Sequence, residues 1–193
     1  MWNIDASAAV YSALHGTEVV LRNAIDGVLR DWNEAQGHGR DWLITPDPRL
    51  RKLVDPHSMT LDQALRRAEK ALGSRRAPNH DDVLAQTTMG TWRFILPSRA
   101  SIPKQRLWED ALNFAFPNWH GDDWAPLVTA IDDLYKLRNR VAHLEPIFRV
   151  PLYRRHNQVK LALRAIGKTP WRWYNSYQKL TVVERTNPIR SSS

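Results

Sequence analysis

Residues 6–33, ASAAVYSALHGTEVVLRNAIDGVLRDWN, carry the pattern that decides the fold. Steps of three and four residues give Leu14, Glu18, Leu21, Ile25, Val28 and Trp32, an apolar stripe broken once by a charge. That period belongs to a helix, so the spacing predicts one from about Ala6 to Asn33. The stretch between Pro126 and Pro146 repeats the arrangement as Leu127, Ile131, Leu134, Arg138 and Val141, again with one charge in the stripe. Proline suits a first helical turn, and Pro146 drives the residue before it out of the helical region. An unpaired charge buried between helices costs several kcal/mol (about 3–5 when one partner of a pair is lost). The two seams therefore imply that these helices pack together and that Glu18 holds Arg138, directly or through water. Arg22 and Asn23 lie one turn beyond Glu18 and could join the same polar island.

Helical spacing dominates the rest of the chain. Gly37 to Pro56, with Pro46 and Pro48, reads as a loop. Thr60 and Gln63 form a T-x-x-Q capping box for a helix carrying Leu61, Ala64, Leu65, Ala68 and Leu72, which Gly73 ends. Asn79 can cap a third helix running through Val83, Leu84, Met89, Trp92, Ile95 and Leu96 to Pro97. A fourth follows Pro103 with Leu107, Ala111 and Phe114 on one side, and a sixth spans Gln158 to Ile166. Residues 168–193 carry no clear pattern. The reading is an all-α helical bundle over residues 1–148, with a basic, aromatic-rich C-terminal segment, 149–193, packed on the same domain.

Charge and composition narrow the chemistry. The chain has no cysteine, which removes disulfides, thiol nucleophiles and cysteine-based zinc sites. No two of its seven histidines have the spacing of a helical metal site, so neither a metal nor a cofactor is expected. The N-terminus lacks the pattern of a secretory signal, and no run approaches the roughly 18 apolar residues of a membrane span, so a soluble, cytoplasmic protein without a membrane partner is expected. Of the net +8, residues 149–193 contribute +9, from ten Lys or Arg against Glu184; residues 1–148, with 18 basic and 19 acidic groups, sum to −1. Tyr153, Trp171, Trp173, Tyr174 and Tyr177 are interleaved with those cations. Cations meet phosphates and aromatic rings stack on unpaired bases, which points to single-stranded or loop regions of RNA. Arg140, Arg149, Arg154, Arg155 and Lys160 are the candidate RNA contacts. The competing reading is a solvated basic tail whose rings pack back on the domain.

Arginine followed by four to six residues and then histidine occurs four times, as Arg51–His57, Arg75–His80, Arg138–His143 and Arg149–His156. The first, second and fourth contain a proline. Only Arg138–His143 ends a continuous amphipathic helix, with Asn139 four residues before His143 and on its face. RNA can be cleaved by its own 2′-hydroxyl, so an enzyme need only clamp the phosphate, move protons near neutral pH and stabilise charge. Arginine suits the first and last of these tasks, and histidine the second.

The segment Leu137-Arg-Asn-Arg-Val-Ala-His-Leu-Glu-Pro-Ile-Phe148 resembles the R-N-x-x-x-H signature of the HEPN superfamily, and within it the Abi-like (abortive infection) proteins of bacteria. Thr17-Glu-Val-Val-Leu-Arg-Asn-Ala-Ile25 is similar to that family's first-helix E-x-x-x-R-N element. Met89-Gly-Thr-Trp-Arg-Phe-Ile-Leu96 is similar to its G-x-W segment, and Trp171–Arg185 to its C-terminal element. The four together reach from about residue 10 to residue 190. The resemblance implies a HEPN-like bundle that forms a homodimer with a composite cleft, and a metal-independent endoribonuclease leaving a 2′,3′-cyclic phosphate in phage defence or a toxin–antitoxin system. It implies Arg138 and His143 as the catalytic pair, Asn139 as their polar support and Glu18 as the acid that orients them. Some relatives carry a tyrosine two residues after the histidine, where an antitoxin partner attaches nucleotides; here that residue is Glu145, so that mode of regulation does not carry over. The alternative is a HEPN module that binds RNA or a partner without cleaving.

Overall fold

The computed structural model describes residues 1–54 and 60–189. Among the described residues there are ten α-helices and no strand, as the periodicity requires, and no helix is long and apolar enough to cross a membrane. The chain groups into two compact units. One comprises residues 1–23 with 116–193, the other residues 24–115. The first helix, α1 (Trp2–Ala35), is continuous through both.

In the unit of residues 24–115, α1 is followed by α2 (Pro48–Val54), α3 (Thr60–Leu72), α4 (His80–Ala85), α5 (Met89–Ile95), α6 (Ile102–Asp110) and a 3-10 turn at Leu112–Ala115. Helix α2 lies inside the expected loop. Asp47 starts it by accepting the Arg49 N–H at 2.7 Å, and Pro48 takes the first position, where a missing N–H costs nothing. The capping box at Thr60 lies outside the described residues. The single helix expected from Asn79 to Pro97 is two. Asn79 and Asp82 close a capping box on α4, but α4 ends at Gln86 and a new helix begins after Thr88 in extended backbone. Thr87 helps to end α4 by donating its hydroxyl to the Leu84 carbonyl at 2.7 Å. Phe114 is exposed, against expectation, because the 3-10 turn changes the phase after Asp110 and buries Leu112, Ala115 and Phe116 instead.

The core of this unit is organised by polar groups as well as by packing. Trp42 and Trp92 meet edge to face, 6.1 Å between centroids. The buried Asp26 carboxylate accepts from Trp42 Nε1 and pairs with His80 Nε2, each at 2.8 Å. Asn33, also buried, donates to the Gly39 and Thr45 carbonyls and accepts from the Asp47 N–H, which fastens the 36–47 loop to the end of α1.

In the other unit, α7 (Ala125–Ala142) packs on α8 (Leu152–Ile166), which also carries α9 (Lys168–Tyr177) and α10 (Leu180–Arg185). The described part of the basic segment, residues 149–189, thus carries three helices; of its aromatic residues Tyr174 is buried, Trp171 and Tyr177 are half-buried, and Tyr153 and Trp173 are exposed. Tyr174 is fully buried with its hydroxyl 2.9 Å from His156 Nδ1, and burial raises its pKa. Gly16 admits the ring of Trp173 so closely that a Cβ there would stand 2.5 Å from it. The start of α1 is fixed by Trp2, which donates to the Val183 carbonyl and stacks on Phe148, and by Asn3, which accepts the Ile147 N–H at 2.8 Å. Glu184, the one acid after residue 148, accepts the Leu152 N–H at the start of α8, where a helix favours negative charge.

Candidate functional site

The two charges thought to lie in the seams stand beside them. In α1 the step between Leu14 and Leu21 is filled by Thr17, which is buried and donates its hydroxyl to the Ala13 carbonyl at 2.7 Å. The buried line continues through Ile25, Leu29 and Asn33, leaving Glu18, Val28 and Trp32 half-buried at its edge. In α7 the step between Leu134 and Val141 is filled by Leu137, which leaves Arg138 half-buried beside it. Either order of a three and a four fits the same endpoints, so spacing alone does not choose between them.

No direct Glu18–Arg138 bond forms among the described residues. Arg138 makes no side-chain hydrogen bond or ion pair among the described residues. The Asn3–Ile147 bond ties the loop after α7 to the first turn of α1. Arg22 turns to its neighbour Asn23, with Nε 3.4 Å from Oδ1, and neither joins Arg138.

The end of α7 is a Schellman motif built without glycine. Leu144 holds φ at 58°, its N–H donates to the Val141 carbonyl at 3.1 Å, and the Glu145 N–H reaches back to the Arg140 carbonyl at 2.8 Å. His143 is the C-cap itself, exposed, with its N–H on the Asn139 carbonyl and its imidazole without a polar contact among the described residues. Asn139 is half-buried and stands about 40° around the helix axis from His143; Arg138 stands about 140° from it. One chain therefore groups Asn139 with His143 and sets Arg138 on another face.

A left-handed conformation costs a non-glycine residue about 1–2 kcal/mol, and glycine returns about 0.4–1 kcal/mol of that through its freer unfolded chain. The Leu144 side chain is 89% exposed and contributes little packing. Leu144→Gly is expected to stabilise the protein by about 0.5–1 kcal/mol, read as a rise in the thermal unfolding midpoint; a fall would show that Leu144 holds contacts of its own. Strain retained beside His143 fits a backbone set for a task rather than for stability.

The candidate RNA contacts divide. Arg140 is committed to its own helix end, with Nη2 2.8 Å from the Pro146 carbonyl and Nε 3.3 Å from Glu145. Arg155 is half-buried and cross-links α8 to Asp133 on α7. Burial alone would raise the Asp133 carboxyl, but hydrogen bonds from Gln158 and Arg155 outweigh it and hold the group below the usual range. These two arginines hold contacts within the fold. Arg149 and Arg154 are exposed and Lys160 is half-exposed.

Sequence reasoning missed the Asp26–His80 pair, the arrangement most like an acid–histidine dyad. Asp26 and His80 are 5% and 3% exposed, so substrate cannot reach them and the pair serves the core. No group of three or more His, Asp or Glu residues placed to hold a metal ion occurs among the described residues. No family model matches the chain, and no curated protein and no solved structure matches it.

Proposed function

We propose that this chain is a metal-independent endoribonuclease of the HEPN type, working in phage defence or a toxin–antitoxin system, with Arg138 and His143 as its catalytic residues and Asn139 as their support. What carries this reading is the contrast among the arginine–histidine pairs. His80 is buried against Asp26 and His156 against Tyr174, and His57 lies outside the described residues; His143 is exposed at a helix end. Arg138, half-buried and without an ion pair among the described residues, keeps its guanidinium donors for a phosphate.

In the reaction, the 2′-oxygen attacks the adjacent phosphorus as its proton leaves, and the bond from phosphorus to the 5′-oxygen breaks as that oxygen gains a proton. The products are a 2′,3′-cyclic phosphate and a 5′-hydroxyl. His143 supplies one of the two proton transfers, and Arg138 holds the phosphate as negative charge builds on it. Because Arg138 and His143 face different sides of α7, the full constellation calls for a second copy of the chain. Apolar side chains at this end favour such a homodimer: Met1, Ile4 and Leu144 are exposed near the Asn3–Ile147 link. Purified protein is expected to cleave a mixed RNA pool in the presence of EDTA. The same separation of the two side chains favours a second reading, an RNA- or partner-binding HEPN module, and binding with no cleavage under any condition would establish it.

A further inference from the structure

We propose that a cleft on α8, away from His143, seats an unpaired nucleotide of single-stranded RNA, with its phosphate on Lys160 and Arg164 and its base against Trp119. The inference rests on the ribonuclease reading above and names where that substrate is gripped. The cleft measures about 400 Å³ and lies in the unit formed by residues 1–23 and 116–193. One wall is a single face of α8, where Asn157, Lys160, Leu161 and Arg164 recur at helical spacing; the other is the loop carrying Trp119, His120 and Gly121.

The loop is held in place by the end of α8. The Asn118 N–H donates to the Ala165 carbonyl at 2.9 Å, and Asn118 Nδ2 lies 3.4 Å from the Ile166 carbonyl. These bonds cover the negative end of the helix, which would otherwise repel a phosphate. Gly121 allows the loop to lie against the Trp119 ring, since a Cβ there would be 3.1 Å from it. Arg164 is steadied over the ring of Trp171, 5.0 Å from its centroid.

The charge is of one sign. Lys160, Arg164 and His120 line the cleft and no carboxylate does. Of the acids nearby in sequence, Asp122 is exposed and lies outside the lining, Asp123 accepts the Ala125 N–H at the start of α7, and Glu184 is engaged at the start of α8. Fixed cations beside a half-exposed indole and two side-chain amides provide for phosphate, base face and base edge together. A duplex, whose bases are already stacked, cannot present a base face to Trp119.

The test is fluorescence anisotropy with a short labelled 2′-O-methyl oligouridylate, which binds without offering a 2′-hydroxyl for cleavage. The double variant K160A/R164A is expected to lose at least tenfold in affinity. Its slope of log affinity against log salt should be shallower by about 1.4, since each phosphate contact on a single strand contributes about 0.7. W119A is expected to lose about tenfold with the slope unchanged, because stacking releases no counterions. R66A/R67A, an equal charge change on exposed residues of α3, should stay within twofold of wild type. Wild-type binding with K160A/R164A and W119A unaltered would overturn the cleft and leave the ribonuclease reading standing. Tighter binding of duplex DNA through the same residues would also overturn it. Failure of the wild-type protein to bind the oligonucleotide would remove the RNA reading and the cleft together.

Discussion

His143→Ala is expected to reduce RNA cleavage by at least about a hundredfold, the ordinary contribution of a positioned proton carrier, and to leave stability untouched. The imidazole is exposed and makes no polar contact among the described residues, and the helix end is held by backbone bonds at Leu144 and Glu145 that alanine preserves. Arg138→Ala should cost about 10²–10³ in rate, as loss of one charge-stabilising group does. It should shift unfolding by less than about 1 kcal/mol, the range of surface substitutions that break no pair. Arg138→Lys keeps the charge but loses the bidentate fork, so its activity should remain well below wild type. Cleavage of a labelled RNA in EDTA, beside urea unfolding of each variant, separates the two effects. Arg138→Ala unfolding the protein, or cleavage surviving His143→Ala, would remove these residues from the active site.

Asp26→Ala is expected to have the largest effect on stability, about 3–5 kcal/mol. The carboxylate serves two buried donors, Trp42 Nε1 and His80 Nε2, and neither can reach water when it is removed. The other ring nitrogen of His80, Nδ1, is buried without a hydrogen bond among the described residues and faces Asp41 Oδ1 at 3.8 Å, too far to replace the 2.8 Å bond to Asp26. Asp26→Asn keeps one acceptor oxygen and should lose about half as much. Equilibrium unfolding in urea measures both, and a loss below about 1 kcal/mol in Asp26→Ala would mean that packing of Trp42 and Trp92 alone holds this core.

Much of this was legible in the residues. Long helical seams and the prolines at 126 and 146 placed α1 and α7 within a few residues, and Asn79 capped α4 as its side chain suggests. The two misplaced seam charges share one cause, that helical spacing is degenerate by one residue. Thr17 reads as polar and Glu18 as an interruption, yet threonine can bury itself by bonding the carbonyl one turn back, which no count of apolar residues detects. Leu137 and Arg138 posed the same choice. The correction alters the function argued for them: a charge sealed in a seam must be paired, whereas one beside a seam can meet a ligand. Asp47-Pro48 signalled the start of α2 but was lost among nearby prolines and glycines. The cleft on α8 combines residues some forty positions apart, a proximity that only tertiary packing creates.

Product-end analysis after incubating the purified protein with RNA in EDTA tests the central claim most directly. The account predicts fragments ending in a 2′,3′-cyclic phosphate and beginning with a 5′-hydroxyl, absent from the His143→Ala reaction. Fragments with a 3′-hydroxyl and a 5′-phosphate, or cleavage abolished by the chelator, would contradict it.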